Sequence, residues 1–315
     1  MINISVIIPA YNASRFIEKA INSALEQSEV AEVIVVNDGS KDATEEIVKH
    51  LQKSNDKVKL FHHTNKENKG RSATRNLGIQ KAISEYIAFL DADDFYLPDR
   101  FKNDTKLFQK NPEIDGVYNA VDFHFYRDIS EHEKKQLVLN TMTQPIESSK
   151  LFEALISGKY GHFQIDGLTV KKNLFTKTGL FNEKLKVAED TDIFWKMALK
   201  GNLISGIIDT PVALRGVHEA NIFNDKEVYA VYTIKMYESM FFWAGKNKLS
   251  QYNLDILLKW IWLLRYKQNN SISKDIFYWM YLFWNNKKVF FSTLSLKYFP
   301  IVQKRKQLFP FIFNR

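Results

Sequence analysis

The chain of 315 residues contains no cysteine, which excludes disulfides, thiolate chemistry and sulfur-built zinc sites. No glycine occurs before Gly39, so the first apolar run is not followed by the Gly-x-Gly-x-x-Gly turn of dinucleotide-binding folds. Neither Gly158-Lys159 nor Gly245-Lys246 has the spacing or the following Ser/Thr of a P-loop. Long apolar runs are missing too. In the carboxyl-terminal part the longest uncharged one, Ile276 to Trp284, has nine residues, far short of the roughly 20 that a spanning helix needs. The amino terminus carries no charged leader and reaches Pro9 after one short apolar run, which predicts a strand and not a secretory signal peptide. Acids are scarce at the other end: residues 251–315 hold 11 Lys/Arg against only Asp255 and Asp275, whereas residues 1–250 are balanced at 33 basic and 34 acidic. The formal +8 of the chain is therefore local. It points to an anionic partner surface for the tail, a membrane before a nucleic acid.

What is present is an alternation. Strand-like runs at 4–8, 33–37, 58–62 and 86–90 alternate with helical stretches at 14–27, 41–53 and 71–84, the pattern of a parallel sheet with crossover helices. Ser14 and Ser40–Thr44 read as helix starts. Further on, strands are expected near 114–126 and 163–170, a helix near 147–158, and a helix over 188–200 with acids in its first turn and Gly201 at its end. From Val228 the composition turns to Tyr, Phe, Trp, Ile, Leu and Lys, with two helices at about 252–268 and 274–286.

The most informative segment is Tyr86-Ile87-Ala88-Phe89-Leu90-Asp91-Ala92-Asp93-Asp94. A buried strand here delivers three carboxylates to its carboxyl edge, where open α/β sheets bind ligands. Closely spaced carboxylates suit a hard divalent cation shared with substrate phosphates, although an acidic turn or a helix cap has the same local signature. The ends of the first, second and fourth strands should converge. Tyr11 is then placed to pack on a base and Asp38 to accept an N–H from its edge, with Asp91 and Asp93 reaching ribose and a metal-bound diphosphate. Singly, Tyr11 also reads as rim packing and Asp38 as a turn. Gly70-Arg71-Ser72-Ala73-Thr74-Arg75 opens a helix with two arginines four apart on one face, either an anion site or a solvated basic face. Asp190 sits at a helix start, where it serves as a base or simply caps the helix while Glu189 and Asp192 favour its dipole, and His218 is a metal ligand, a phosphate contact or an ordinary loop histidine.

Val6-Ile7-Ile8-Pro9-Ala10-Tyr11-Asn12, Val35-Val36-Asn37-Asp38-Gly39-Ser40, Asn68-x-Gly70 with Arg75-Asn76-x-Gly78, and Phe89-Leu90-Asp91-Ala92-Asp93-Asp94 resemble, in order and spacing, the family 2 glycosyltransferases of the GT-A fold. Ala188-Glu189-Asp190-Thr191-Asp192 is similar to that family's Glu-Asp motif, and Arg215-Gly216-Val217-His218-Glu219-Ala220-Asn221 to its Arg-x-x-His-x-x-Asn segment. Asn37 stands where Asp is common, and Thr74 where Ala is common.

The resemblance implies an α/β GT-A fold, with a Rossmann-like, mostly parallel sheet covered on both faces, over residues 1–225. Residues 1–100 would be the nucleotide half and 101–225 the acceptor half. Beyond about residue 225 the chain falls outside the resemblance, and composition makes 226–315 a helical, basic-aromatic appendage for membrane association or oligomerisation. The resemblance implies a bacterial-type, non-processive, inverting enzyme that uses Mn²⁺ or Mg²⁺ to move one sugar from a UDP-sugar to a hydroxyl of a saccharide or lipid-linked envelope glycan. The donor side would comprise Pro9, Ala10, Tyr11, Asp38 (uracil), Gly70, Arg71, Arg75, Asp91 (ribose), Ala92 and Asp93. Asp93 and His218 would hold the metal, Asp190 would be the catalytic base, and Glu189, Trp195 and Arg215 would line the acceptor side. A processive synthase is not expected, since no Gln-x-x-Arg-Trp motif occurs. The expected location is cytoplasmic, peripheral at the inner face of the cell membrane, with a possible homo-oligomer and no nucleic-acid partner. Two alternatives remain: a nucleotidyltransferase, whose glycine-rich first loop Pro9-Ala10-Tyr11-Asn12 matches poorly, and an inactive nucleotide-sugar-binding protein, against which Asp190 argues.

Overall fold

In the computed structural model, residues 2–219, 221, 226–268 and 270–313 are described. The chain divides into two compact units, Met1–Asn224 and Asp225–Arg315.

The first unit contains the strands β1 (Ile4–Ala10), β2 (Val30–Asn37), β3 (Val58–His62), β4 (Tyr86–Phe89), β5 (Phe95–Tyr96), β6 (Gly116–Tyr118), β7 (Val121–Phe125), β8 (Leu168–Lys171), β9 (Leu203–Ser205) and β10 (Ala213–Val217). Seven form a sheet in the order β3-β2-β1-β4-β8-β6-β9, parallel except where β8 runs against both β4 and β6. Val33, Ile34, Val35 and Val36 of β2 are all fully buried, as befits a parallel strand covered on both faces. The helices of this unit are α1 (Ile17–Leu25), α2 (Thr44–Ser54), α3 (Arg71–Lys81), α4 (Lys102–Lys110), α5 (Glu131–Gln136), α6 (Leu151–Ser157), α7 (Leu174–Thr178) and α8 (Glu189–Lys200). Helix α1 buries Ile17, Ala20, Ile21 and Ala24, a stripe at helical spacing. Helix α3 lies close on β1 because residue 78 is glycine: a Cβ there would come within 2.3 Å of Ile7 Cγ2. That close seat sets the position of Arg71 and Arg75.

Three local expectations are corrected. The first helix starts at Ile17, not at Ser14, whose N–H donates to Asp42 Oδ2 at 2.9 Å. The run at 114–126 is two strands in different sheets, since β7 joins β10 and β5 in a second, three-stranded sheet. Asn119 forces the break, donating to Asp104 Oδ1 at 3.0 Å and accepting from the Ile207 N–H at 2.7 Å. The helix near 147–158 is a 3-10 turn, Ser148–Lys150, followed by α6 and closed by Gly158 at φ 65°.

The second unit is helical, with α9 (Lys226–Lys246), α10 (Gln251–Tyr266) and α11 (Ile272–Trp284) followed by short helices from Lys287 to Phe313. Ser250 and Ser271 cap α10 and α11 by accepting the N–H groups of Asn253 and Lys274 at 3.2 and 3.5 Å. Both helices start before the expected 252 and 274. Among the described residues no helix is long and apolar enough to cross a membrane.

Candidate active site

The parallel strands β2, β1 and β4 end on one edge of the sheet, and the loops that follow are stitched together. Asn12, in the left-handed region at φ 48°, donates its N–H to Ser40 Oγ at 3.0 Å and accepts the Lys41 N–H at 2.8 Å. Tyr11, beside it, is 53% exposed, an aromatic face open to a ligand. Asp38 is buried and accepts the N–H groups of Lys69 at 2.7 Å and Gly70 at 2.9 Å, so it clamps the turn that opens α3. Each of its oxygens retains acceptor capacity. Gly70 makes that turn at φ 84°, in the region that favours glycine.

Arg75 is the hub. Fully buried, it donates to Asp91 at 2.6 Å, to Asp190 at 2.8 Å and to Glu189 at 3.2 Å. One guanidinium thus joins the end of β4 to the first turn of α8. Arg75, expected on the donor side, has no exposed surface here and commits its guanidinium to these three carboxylates. Arg71, one turn earlier and 36% exposed at its side chain, reaches Glu189 at 3.4 Å and is the arginine of the pair that faces solvent.

The acids have unequal protonation. Burial alone would raise Asp91, but Arg75 and then Arg71 overcome it and hold its carboxyl below the usual range. Burial, then the charge of Asp190, push Glu189 up to about 7 against the pull of the two arginines. Burial and the neighbouring Asp166 hold Asp94 well above the usual carboxylate range, and burial followed by Asp91 brings Asp166 to about 7. Asp94 accepts the Gly216 N–H at 2.7 Å, and Asp166 accepts the Asp91 N–H at 3.0 Å. Carboxylate oxygens of Asp91, Asp94 and Asp166 lie within 4.8 Å of one another.

Asp93 turns elsewhere. Its Oδ2 lies 2.9 Å from His218 Nε2 and 3.3 Å from Asn221 Nδ2, and the imidazole stacks on Phe16 with centroids 4.8 Å apart. Gly216 lets β10 approach this loop, since a Cβ there would sit 2.2 Å from the Asp93 carbonyl oxygen. Pro9, Ala10 and Ala92 form the walls of the strand-end loops, Ala10 and Ala92 being buried. Arg215, on β10, lies near enough to lower the carboxyls of Asp91 and Asp166. Trp195 is only 5% exposed and packs edge-on against Phe152, centroids 6.0 Å apart, so its ring joins α8 to α6. The sequence reading passed over Asp166 and the pairing of Asn221 with Asp93. Asn221 was legible within the Arg-x-x-His-x-x-Asn segment, whereas Asp166, a lone acid before β8, carries no local signal.

The Glu189 carboxyl makes stability depend on pH. Its folded value of about 7 lies above the ordinary value of 4.5, so the folded state holds a proton that the unfolded chain has lost. This contribution is complete below about pH 4.5 and disappears as the pH rises towards 7. Glu189→Gln is expected to flatten that part of the stability profile, measured by urea unfolding at a series of pH values; an unchanged slope would refute the assignment.

The Glycosyl transferase family 2 model matches residues 5–165. An uncharacterized glycosyltransferase of Rickettsia typhi is 31% identical over 255 residues, covering 77% of this chain and 70% of the relative. The chondroitin synthase of Pasteurella multocida is 32% identical over 200 residues, but this stretch is 63% of the chain and only 19% of the synthase. Among solved structures, S. aureus TarS 1–349 in complex with UDP-GlcNAc superposes with a TM-score of 0.65 at 16% identity, covering 97% of this chain and 92% of that one, a likeness of fold. The family match spans half of the chain and takes in the strand-end loops of Tyr11, Asp38 and Asp91 and the helix that carries Arg75: this chain belongs to the family 2 glycosyltransferases and is an enzyme of the GT-A fold.

Proposed function

We propose that the enzyme is an inverting, divalent-metal-dependent transferase that moves one sugar from a UDP-sugar to a hydroxyl of a saccharide or lipid-linked glycan. The observation that carries this reading is the Arg75 bridge, which holds the strand-end acid Asp91 and the helix-start acid Asp190 on one guanidinium at 2.6 and 2.8 Å. Donor side and base side are thereby registered to each other. TarS was solved with UDP and with UDP-GlcNAc, which supports a uridine nucleotide as the donor. Membership of a glycosyltransferase family sets the nucleotidyltransferase alternative aside.

In this reading Tyr11 packs on the base, Asp38 accepts from its edge and Asp91 binds the ribose. Asp93 and His218 would hold the cation: a carboxylate oxygen and an imidazole nitrogen already 2.9 Å apart suit Mn²⁺ or Mg²⁺. When bound, such an ion supplies neutralisation of the charge that develops on the departing diphosphate. Asp190, 28% exposed at its side chain, accepts the proton of the acceptor hydroxyl as that oxygen bonds to the anomeric carbon and UDP leaves from the opposite face. Glu189 and Arg75 hold Asp190 in place.

UDP release should be measured over a panel of UDP-sugars, with and without chelator. Release from at least one donor is expected, lost in excess chelator and restored by Mn²⁺ or Mg²⁺. Full turnover in chelator would overturn the metal dependence, and release of pyrophosphate in place of UDP would overturn sugar transfer itself.

A further inference from the structure

Helix α11 is buried along one side, where Asp275, Leu282 and Phe283 are at most 3% exposed, and bare along the other. Phe277 is 72% exposed, Met280 46%, Tyr281 48% and Trp284 66%. Positions separated by three, four and seven residues share one helical face. The row continues past the helix end, because the Trp284 ring lies 6.2 Å from Phe290, which lies 5.0 Å from the largely exposed Phe291. Single exposed apolar side chains are ordinary, whereas a contiguous row of them marks an interaction surface.

Within this stretch of chain the charge that reaches solvent has one sign, while Glu238 of α9 accepts from the Tyr278 hydroxyl beside it. From Ile272 to Phe291 the charged residues are Lys274, Asp275, Lys287 and Lys288. Asp275 is buried, with its carboxylate held by Arg265 at 3.2 Å and Lys304 at 2.9 Å, so the charges that reach solvent here are the three lysines. Lys274 precedes Phe277 by three residues on the same face, and Lys287 and Lys288 flank the other end.

We propose that this face of α11 docks on an anionic lipid bilayer, lying in the plane of the membrane with Phe277, Tyr281 and Trp284 at headgroup depth and the lysines on lipid phosphates. At 13 residues, α11 is an interfacial helix, far too short to span. A second copy of the chain fits the same face poorly, since an isologous contact would set these lysines against themselves.

The test is co-sedimentation of the full chain with vesicles of phosphatidylcholine alone and of phosphatidylcholine mixed with phosphatidylglycerol. Binding is expected to be about 10–100-fold tighter on the anionic vesicles, and to weaken between about 0.05 M and about 0.5 M salt. The double variant Phe277→Ser with Trp284→Ser should lose binding to both vesicle types, and the triple variant Lys274→Gln, Lys287→Gln, Lys288→Gln should lose the anionic preference. Thermal melting followed by circular dichroism should match the unaltered chain in both cases, which separates lost docking from lost folding without reference to sugar transfer. The proposal is overturned if the folded full chain ignores anionic vesicles, if the variants bind as it does, or if the serine variant dissociates an oligomer that never bound lipid.

Discussion

Asp190→Asn is expected to lower the rate of sugar transfer by about 10²–10⁴-fold while leaving donor affinity unchanged. The substitution retains an oxygen that can accept from Arg75 Nη1, which meets Asp190 at 2.8 Å, so the geometry of the bridge is preserved and the capacity to take a proton is lost. Helix stability offers no competing account. The N-cap position of α8 belongs to Ala188, in the left-handed region at φ 63°, and the remaining benefit of a carboxylate in the first turn is about 0.3–1 kcal/mol. Separate measurement of kcat and of UDP-sugar affinity by calorimetry decides the matter. A variant that transfers at the original rate removes Asp190 from the chemistry, and one that has lost donor affinity instead places it on the donor.

Arg75→Met should cost about 3–5 kcal/mol of stability, the usual penalty for removing one partner from a buried ionic cluster. The guanidinium has no exposed surface and is shared by three carboxylates, Asp91, Asp190 and Glu189, at 2.6, 2.8 and 3.2 Å. Without it the buried Glu189 carboxyl loses a neighbouring positive charge and is pushed further up, so it favours the folded state when protonated, and the defect is smaller at about pH 5 than at about pH 8. Chemical denaturation of both proteins at those two pH values tests this. A loss below about 1 kcal/mol would mean that the cluster is solvated and that Arg75 behaves as a surface arginine.

The same residue shows where the sequence stopped being legible. In the segment Gly70–Arg75 the four-residue spacing of the arginines was plain, and the local reading left open whether they met an anion or water. Burial of Arg75 depends on α8, whose Asp190 is 115 positions away, and on the tight seat of Gly78 against Ile7. Neither leaves a mark near residue 75. The acids divide the same way. The run Asp91–Asp94 was conspicuous because it ends an apolar strand, but Asp93 turns to His218 while Asp94 pairs with Asp166 and Gly216. The strand expected at 114–126 was misread as one element because its apolar content is continuous and the break comes from the distant partners of Asn119.

By itself the sequence determined the alternation of strands and helices, the strand ends that carry Tyr11, Asp38 and Asp91, and the aromatic, basic character of the tail. Each of these rests on periodicity and composition within a dozen neighbouring residues. Only the tertiary structure decided which carboxylates stay charged and which keep a proton, which arginine is buried, and which face of α11 is left bare. Those outcomes depend on desolvation and on charges brought together from far along the chain, such as Asp91 with Asp166 across 75 positions, and such terms exist only once the elements have packed.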